Sequence, residues 1–288
     1  MLATLISLLA VNNLATPNPE LSLPPLSPPT IAAHPVKTGL SLQPQIEAKA
    51  VLSIDLETGA ILYGQNQNSP LPMASLTKLM TVLIILKENG LDETVIVDKR
   101  ATTVEPSKMY LLANEKISTG ELIKAILIKS ANDAALALAY HNAGELEGFV
   151  AKMNYEATAM GMTQTHFQNP TGLDAPDQYS SPEDLALLAR TVYKYPIVRQ
   201  TAPMAEITVS STDQKQQHKL ENTNALLDSY LKVLGLKTGT TDDAGQCLIT
   251  IVESTEGRQI MNIMLNSPAR FQESKILSQW IFNNYSWI

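Results

Sequence analysis

A single cysteine in 288 residues, Cys247, rules out an internal disulfide. It lies in the apolar run Cys247-Leu-Ile-Thr-Ile-Val252, where a buried, inert thiol is expected rather than a nucleophile. Histidine is scarce too. The four, at 34, 141, 166 and 218, are too scattered for a zinc site built from clustered His and acidic ligands. His141 and Glu145 fall one turn apart, but a solvated helix face accounts for them. Basic residues are in deficit, 21 against 28 acidic for a net charge of −7, which argues against nucleic acid or an anionic surface as partner. No G-x-x-x-x-G-K precedes Lys237-Thr238, so no phosphate loop is present. There is no internal repeat.

The first basic residue is Lys37. Residues 2–11 are almost wholly apolar, about the length of a secretory h-region and too short to span a bilayer. They lack the usual charged flank, and residues 1–15 are expected to be a signal or an anchor. Residues 17–35 hold seven of the 17 prolines and one charge, Glu20. That composition predicts a semi-extended linker over 16–45, with the folded domain at 46–288.

Within that domain, 48–55 and 60–65 read as strands joined by a tight turn at Gly59. Residues 76–87 read as a helix apolar round most of its circumference, hence central and buried, with Asn89-Gly90 as its C-cap. Ser118 with Glu121 resembles a capping box opening a helix to Lys129. Further helices are expected over 133–142, 181–193 and 270–285, and strands over 232–240, 246–253 and 259–266. Two strands before the helical block and three after it predict an α/β (α+β) fold. Its five-stranded antiparallel sheet has a near-continuous apolar middle strand that requires helices on both faces.

Chemistry concentrates in three places: Ser75-Leu-Thr-Lys78, Ser130-Ala-Asn132 and Lys237-Thr-Gly239, with gaps of 55 and 107 residues. Single matches carry no weight, because Ser229-Tyr-Leu-Lys232 and Lys37-Thr-Gly39 repeat two of the patterns. Only one set has the right order. Ser75 and Lys78 share a helix face one turn apart. A serine hydroxyl needs a base, and Lys78 can serve only if its pKa falls from about 10.4 to roughly 8, a cost of about 3 kcal/mol. Burial and a neighbouring cation, for which Lys237 is the obvious candidate, can supply that. Ser130 suits proton delivery to a leaving amine, since a hydroxyl both donates and accepts. Asn132 can hold Lys78 and a substrate amide together. The strand after Lys237 can align with a peptide, and Gly239 lets the backbones approach. The N–H groups of Ser75 and Thr240 would then form an oxyanion hole.

S-x-x-K and K-T-G are shared by penicillin-binding proteins and class A β-lactamases. Beyond them, residues 45–285 resemble the low-molecular-mass penicillin-binding proteins, the serine-type D-alanyl-D-alanine carboxypeptidases. The likeness is carried by Pro72-Met-Ala-Ser-Leu-Thr-Lys-Leu-Met-Thr81, Leu127-Ile-Lys-Ser-Ala-Asn-Asp-Ala-Ala135, Asn169-Pro-Thr-Gly-Leu-Asp174, residues 181–190, Asn222-Thr-Asn224 and Gly235-Leu-Lys-Thr-Gly-Thr-Thr-Asp-Asp-Ala-Gly245. The resemblance implies a β-lactamase/DD-peptidase-like fold with a helical subdomain, and a serine DD-peptidase catalytic domain at 46–288. It implies acylation of Ser75 by a peptidoglycan stem peptide, release of D-alanine, and hydrolysis without metal or cofactor. β-Lactams would acylate the same serine. Thr238 and Arg270 are candidates for gripping the substrate carboxylate, although Arg270 could equally be a surface residue at a helix start. The setting implied is extracytoplasmic, in the periplasm or cell envelope, secreted or held by an N-terminal membrane association. Thr240 stands where many relatives carry histidine, which bears on substrate preference.

Two rivals follow. A class A-like β-lactamase needs a glutamate to activate the deacylating water, and Glu221-Asn-Thr-Asn224 lies only 16 residues before Lys237, too close for that role. A non-catalytic β-lactam or peptidoglycan sensor is disfavoured by the intact Ser75, Lys78, Ser130 and Lys237.

Overall fold

The computed structural model describes residues 33–288, so the expectations for residues 1–32 lie outside the described residues. The strands are β1 (Pro35–Lys37), β2 (Ala50–Asp55), β3 (Ile61–Gln65), β4 (Thr94–Ile96), β5 (Lys116–Ser118), β6 (Glu206–Ser210), β7 (Gln217–Glu221), β8 (Lys232–Thr241), β9 (Gly245–Glu253), β10 (Gln259–Ser267) and β11 (Tyr285–Trp287). The helices are α1 (Lys78–Glu88), α2 (Thr119–Lys129), α3 (Asn132–Ala143), α4 (Leu146–Ala159), α5 (Pro182–Tyr193), α6 (Pro196–Thr201) and α7 (Arg270–Asn284).

The expected five-stranded antiparallel sheet is present, in the order β3-β2-β10-β9-β8. Strand alternation divides its side chains between two cores. Ala50, Leu52 and Ile54 of β2 join Met261, Ile263 and Leu265 of β10 in the core shared with the helical block. Val51, Ile260 and Met264 point the other way, onto Leu277, Trp280 and Ile281 of α7. With both faces covered, the inner strands are apolar at nearly every position. One polar set interrupts the second core: Asn262 accepts from Ser53 Oγ at 2.6 Å and donates to Ser278 Oγ at 2.8 Å.

Helix α1 is central, with every residue from Lys78 to Ile85 buried. It begins later than expected, because Ala74–Thr77 form a 3-10 turn. Its C-cap, Asn89, is extended rather than left-handed. Ser118 caps α2 by accepting from Glu121 N, and Ser181 caps α5 by accepting from Asp184 N.

The segment assigned to the linker carries structure at its end. Strand β1 pairs with β11, and the N–H groups of Thr38 and Gly39 donate to Asn284 O. Buried Glu273 of α7 accepts from the N–H groups of Glu47 and Ala48, tying the following stretch to the same helix. Besides the β1–β11 pair, the elements not foreseen are α4, α6, the β6–β7 hairpin and the β4–β5 ribbon.

Candidate active site

The site lies where the 3-10 turn before α1 meets strand β8, the exposed edge of the sheet. Two glycines permit the approach. A Cβ on Gly239 would stand 2.9 Å from Ser75 N, and one on Gly172 would stand 2.0 Å from Ala74 O. Ala74, immediately before Ser75, is held at φ 50°, and Ser130 at φ 60°. Such left-handed backbone costs roughly 1–3 kcal/mol per non-glycine residue, and its occurrence beside two of the three motifs marks a functional region.

Lys78 Nζ lies 2.7 Å from Ser75 Oγ and donates to the main-chain carbonyl of Thr171. The 169–173 turn that presents this carbonyl is built by Asn169, whose Oδ1 accepts from Thr171 N, Thr171 Oγ1 and Gly172 N. Lys237 Nζ donates to Ser130 Oγ at 2.8 Å and to Thr238 O at 2.7 Å. Asn132 Nδ2 donates to Pro106 O at 2.6 Å, while its buried Oδ1 has no partner among the described residues. Asp133, at the start of α3, accepts from Met109 N and Leu111 N and so fixes the 106–111 loop beside the site.

Lys78 and Lys237 are 0% and 1% exposed, and among the described residues neither has a carboxylate ion-pair partner. Burial holds Lys78 well below the usual lysine range, with Lys237 pushing in the same direction and Asp133 opposing. Burial, with Arg270 adding to it, also pushes Lys237 down to about 7. Lys237, expected as the neighbouring cation, is thus itself pushed by its burial toward the neutral form.

Arg270 is not a free surface residue. It is half-buried at the start of α7, and its Nη1 donates to Gly239 O, to Thr240 Oγ1 at 2.6 Å and to Cys247 O at 3.3 Å. Its buried Nε has no partner among the described residues and keeps one donor in reserve. Thr238 Oγ1 contacts Thr223 Oγ1 at 2.5 Å. Ser75, Asn132 and Thr240 line one cleft of about 340 Å³ with Pro106, Ser107, Leu173, Asp174, Thr241 and Asp242.

The duplicate motifs fall elsewhere. Ser229 Oγ donates to Leu226 O in a turn, and Lys232 pairs with Glu253. Lys37 lies over the Trp280 ring. Glu221 is exposed on β7, and Asn224 caps a short turn through Leu226 N. Cys247 is buried, with its thiol pushed up to about 11. Thr171, Pro106 and Thr223 were not singled out as functional from sequence. The first two act through main-chain carbonyls, which leave no side-chain signature.

A family model described as D-alanyl-D-alanine carboxypeptidase, Peptidase_S11, matches residues 37–269. The chain belongs to this family. Among Peptidase_S11 relatives it is 34% identical to the D-alanyl-D-alanine carboxypeptidase DacF of Bacillus subtilis, over 83% of this chain and 63% of that one. It is 31% identical to the D-alanyl-D-alanine endopeptidase of Pseudomonas aeruginosa, over 87% of this chain and 82% of that one. The chain thus spans somewhat under two thirds of DacF. The crystal structure of the Streptomyces K15 DD-transpeptidase superposes with a TM-score of 0.79 at 27% identity, covering 84% of this chain and 100% of that one. A D-alanyl-D-alanine carboxypeptidase from Mycobacterium tuberculosis gives 0.79 at 29% identity, over 86% and 95% of the two chains. The DD-peptidase fold expected from the motifs is the fold of this Peptidase_S11 chain.

Proposed function

We propose that the protein is a serine D-alanyl-D-alanine carboxypeptidase that removes the terminal D-alanine of peptidoglycan stem peptides through an acyl-enzyme at Ser75. The observation that carries this reading is the 2.7 Å contact between Ser75 Oγ and the buried Lys78 Nζ. A lysine shielded from water with no carboxylate partner gives up its proton readily and can accept the serine's.

Neutral Lys78 takes the Ser75 proton as Oγ attacks the penultimate D-alanyl carbonyl. The N–H groups of Ser75 and Thr240 stabilise the oxyanion, each typically worth about 3–4 kcal/mol. Ser130 passes a proton to the departing D-alanine amine and is resupplied by the lysines on either side. Asn132 Oδ1 accepts the substrate amide N–H. The terminal carboxylate meets Lys237, Thr238 and Arg270 Nε, and its charge draws Lys237 back to the protonated form. Water then hydrolyses the ester. A β-lactam presents its own carboxylate and strained amide to the same groups and acylates Ser75. No step calls for a metal or cofactor.

The substrate places the enzyme outside the cytoplasmic membrane, in the periplasm or cell envelope, with residues 1–15 as signal or anchor. Among the described residues no helix is long and apolar enough to cross a membrane.

Mass spectrometry after incubation with penicillin tests the proposal. One adduct is expected, on the peptide containing Ser75, absent in Ser75→Ala and retained in Ser229→Ala. A D-Ala-D-Ala peptide should release D-alanine. An adduct without any D-alanine release would favour the sensor reading, and rapid turnover of penicillin would favour the β-lactamase.

A further inference from the structure

One buried pair of titratable side chains takes no part in the proposed chemistry. Strand β7 alternates, turning His218 and Leu220 inward and leaving Gln217, Lys219 and Glu221 exposed. His218 Nε2 lies 2.8 Å from Oε1 of buried Glu115, and its Nδ1 lies 2.8 Å from Met109 O. The second oxygen of Glu115 accepts from Leu112 N at 3.0 Å. A main-chain carbonyl can only accept, so Nδ1 carries a hydrogen and donates it to Met109 O. A buried pair of this kind is weak support for a fold, since apolar side chains of similar size often serve as well. What the pair holds is more telling. Met109 belongs to the 106–111 loop, and Asp133 Oδ1 grips the other side of the same residue by accepting from Met109 N. Two residues back, Ser107 O accepts from Asn132 N at 2.7 Å, and Pro106 O accepts from Asn132 Nδ2. Pro106 and Ser107 line the cleft beside Ser75, whereas His218 and Glu115 do not. The loop and the turn after it are strained, with Ser107 at φ 54°, Tyr110 at φ 67° and Asn114 at φ 65°. Such backbone persists only where its surroundings hold it.

We infer that His218 is a positioning residue for the proposed carboxypeptidase reaction, acting through Met109 on the 106–111 loop and so on Asn132. This role rests on the carboxypeptidase reading. A chain of contacts runs from the β6–β7 hairpin to the cleft. His218 and Asp133 hold Met109 from opposite sides, and Pro106 and Ser107 in turn hold the Asn132 amide. Glu115 aims the imidazole. Its carboxylate is tied to Leu112 N, and its main chain is tied to the end of the β4–β5 ribbon, where Val97 N donates to Glu115 O. The ring is thus clamped between a fixed carboxylate and the one carbonyl it orients. Asn132 Oδ1 accepts a substrate amide N–H that is present both before and during bond cleavage. Misplacing that acceptor weakens ground state and transition state alike, which raises KM and leaves kcat nearly unchanged.

The test uses two amides that each replace one half of the ring. In His218→Asn the side-chain amide nitrogen falls near the place of Nδ1 and can still donate to Met109 O. In His218→Gln it falls near the place of Nε2 and meets Glu115 instead. Release of D-alanine from a D-Ala-D-Ala peptide is measured, with kcat expressed per site labelled by penicillin so that misfolded protein drops out. In His218→Gln, KM should rise about tenfold with kcat within about twofold, the scale of one lost buried hydrogen bond. His218→Asn should bring KM back to within about twofold of wild type. Glu115→Gln should also keep KM, because glutamine accepts from Leu112 N and donates to Nε2 while Nδ1 still donates to Met109 O. Wild-type KM in His218→Gln, equal KM values in the Asn and Gln variants, or a fall in kcat alone would overturn the role. If His218→Gln does not fold, Glu115→Ala takes its place: the unaimed ring should raise KM, and an unchanged KM overturns the role equally. If the wild type neither labels with penicillin nor releases D-alanine, the carboxypeptidase reading fails and the role falls with it. Labelling and turnover with a KM indifferent to all these substitutions remove the positioning role alone.

Discussion

Replacing Lys237 with methionine should stabilise the fold while destroying the activity, and the gain should depend on pH in a defined direction. Lys237 titrates at about 7 in the folded chain instead of its ordinary 10.5. At about 1.36 kcal/mol per unit, that displacement opposes folding by about 5 kcal/mol at pH values where both states are protonated. Methionine fills nearly the same buried volume without a charge. It also removes the donors to Ser130 Oγ and Thr238 O, each worth about 1 kcal/mol. The net advantage should be about 3 kcal/mol at pH 6. Between pH 7 and 10.5 the unfolded wild-type chain keeps the proton that the folded chain has released. Wild-type stability therefore rises with pH across that window and falls again as pH is lowered through it. The variant lacks this contribution, so its advantage should shrink by about 2 kcal/mol between pH 7 and pH 9. Urea denaturation of both proteins at pH 6, 7 and 9 measures the difference. Parallel stability–pH curves for the two proteins, or a variant less stable at pH 6, would show that Lys237 carries no such burden.

Acylation by penicillin should follow a bell in pH. It rises as Lys78 loses its proton and falls above about 7 as Lys237 in the free enzyme loses the proton it offers to Ser130 and the ligand carboxylate. A stopped-flow profile flat to pH 9 would contradict these assignments. Lys78→Arg keeps the charge but cannot act as a base near neutrality, so acylation should drop by about two to four orders of magnitude. Away from the site, Asn262→Ala should cost about 2–4 kcal/mol in denaturant titration, because the Ser53 and Ser278 hydroxyls lose their buried partner. A change under 0.5 kcal/mol would mean that water enters and replaces the amide, on the scale typical of neutral surface substitutions.

What the sequence made readable and what it concealed divide along physical lines. The five strands and α1 announce themselves by apolar content, since a sheet covered on both faces leaves few polar positions. The candidate catalytic groups are equally plain, because the proposed chemistry demands particular side chains on particular local elements. Helix α4 went unread: it buries only Phe149, Met153 and Ala157, a single thin stripe four residues apart. The β6–β7 hairpin buries only alternate residues such as Val209, His218 and Leu220, so its pattern is diluted by polar neighbours. The end of the proline-rich segment misled through composition, for β1 is held by main-chain bonds to β11 that any residue but proline can donate. Charge state was the deepest omission. Motif spacing brings Lys237 to the site, but its titration near 7 follows from burial, which only the assembled tertiary structure creates.

The contacts that make the site also set when it can exist. Lys78 meets the carbonyl of Thr171 across 93 residues, and Lys237 meets Ser130 across 107. The first needs the helical block to close, and the second needs β8, encoded after that block, to join the sheet as well. Contacts of such long sequence separation are slow to form. A nascent or truncated chain that has made α1 already carries Ser75 and Lys78, yet lacks the enclosure that lowers the lysine's basicity. If Ser75 is acylated as proposed, reactivity toward penicillin should arrive late and all at once, and the rate at which a refolding sample becomes labelled should be a clock for docking of the final strands.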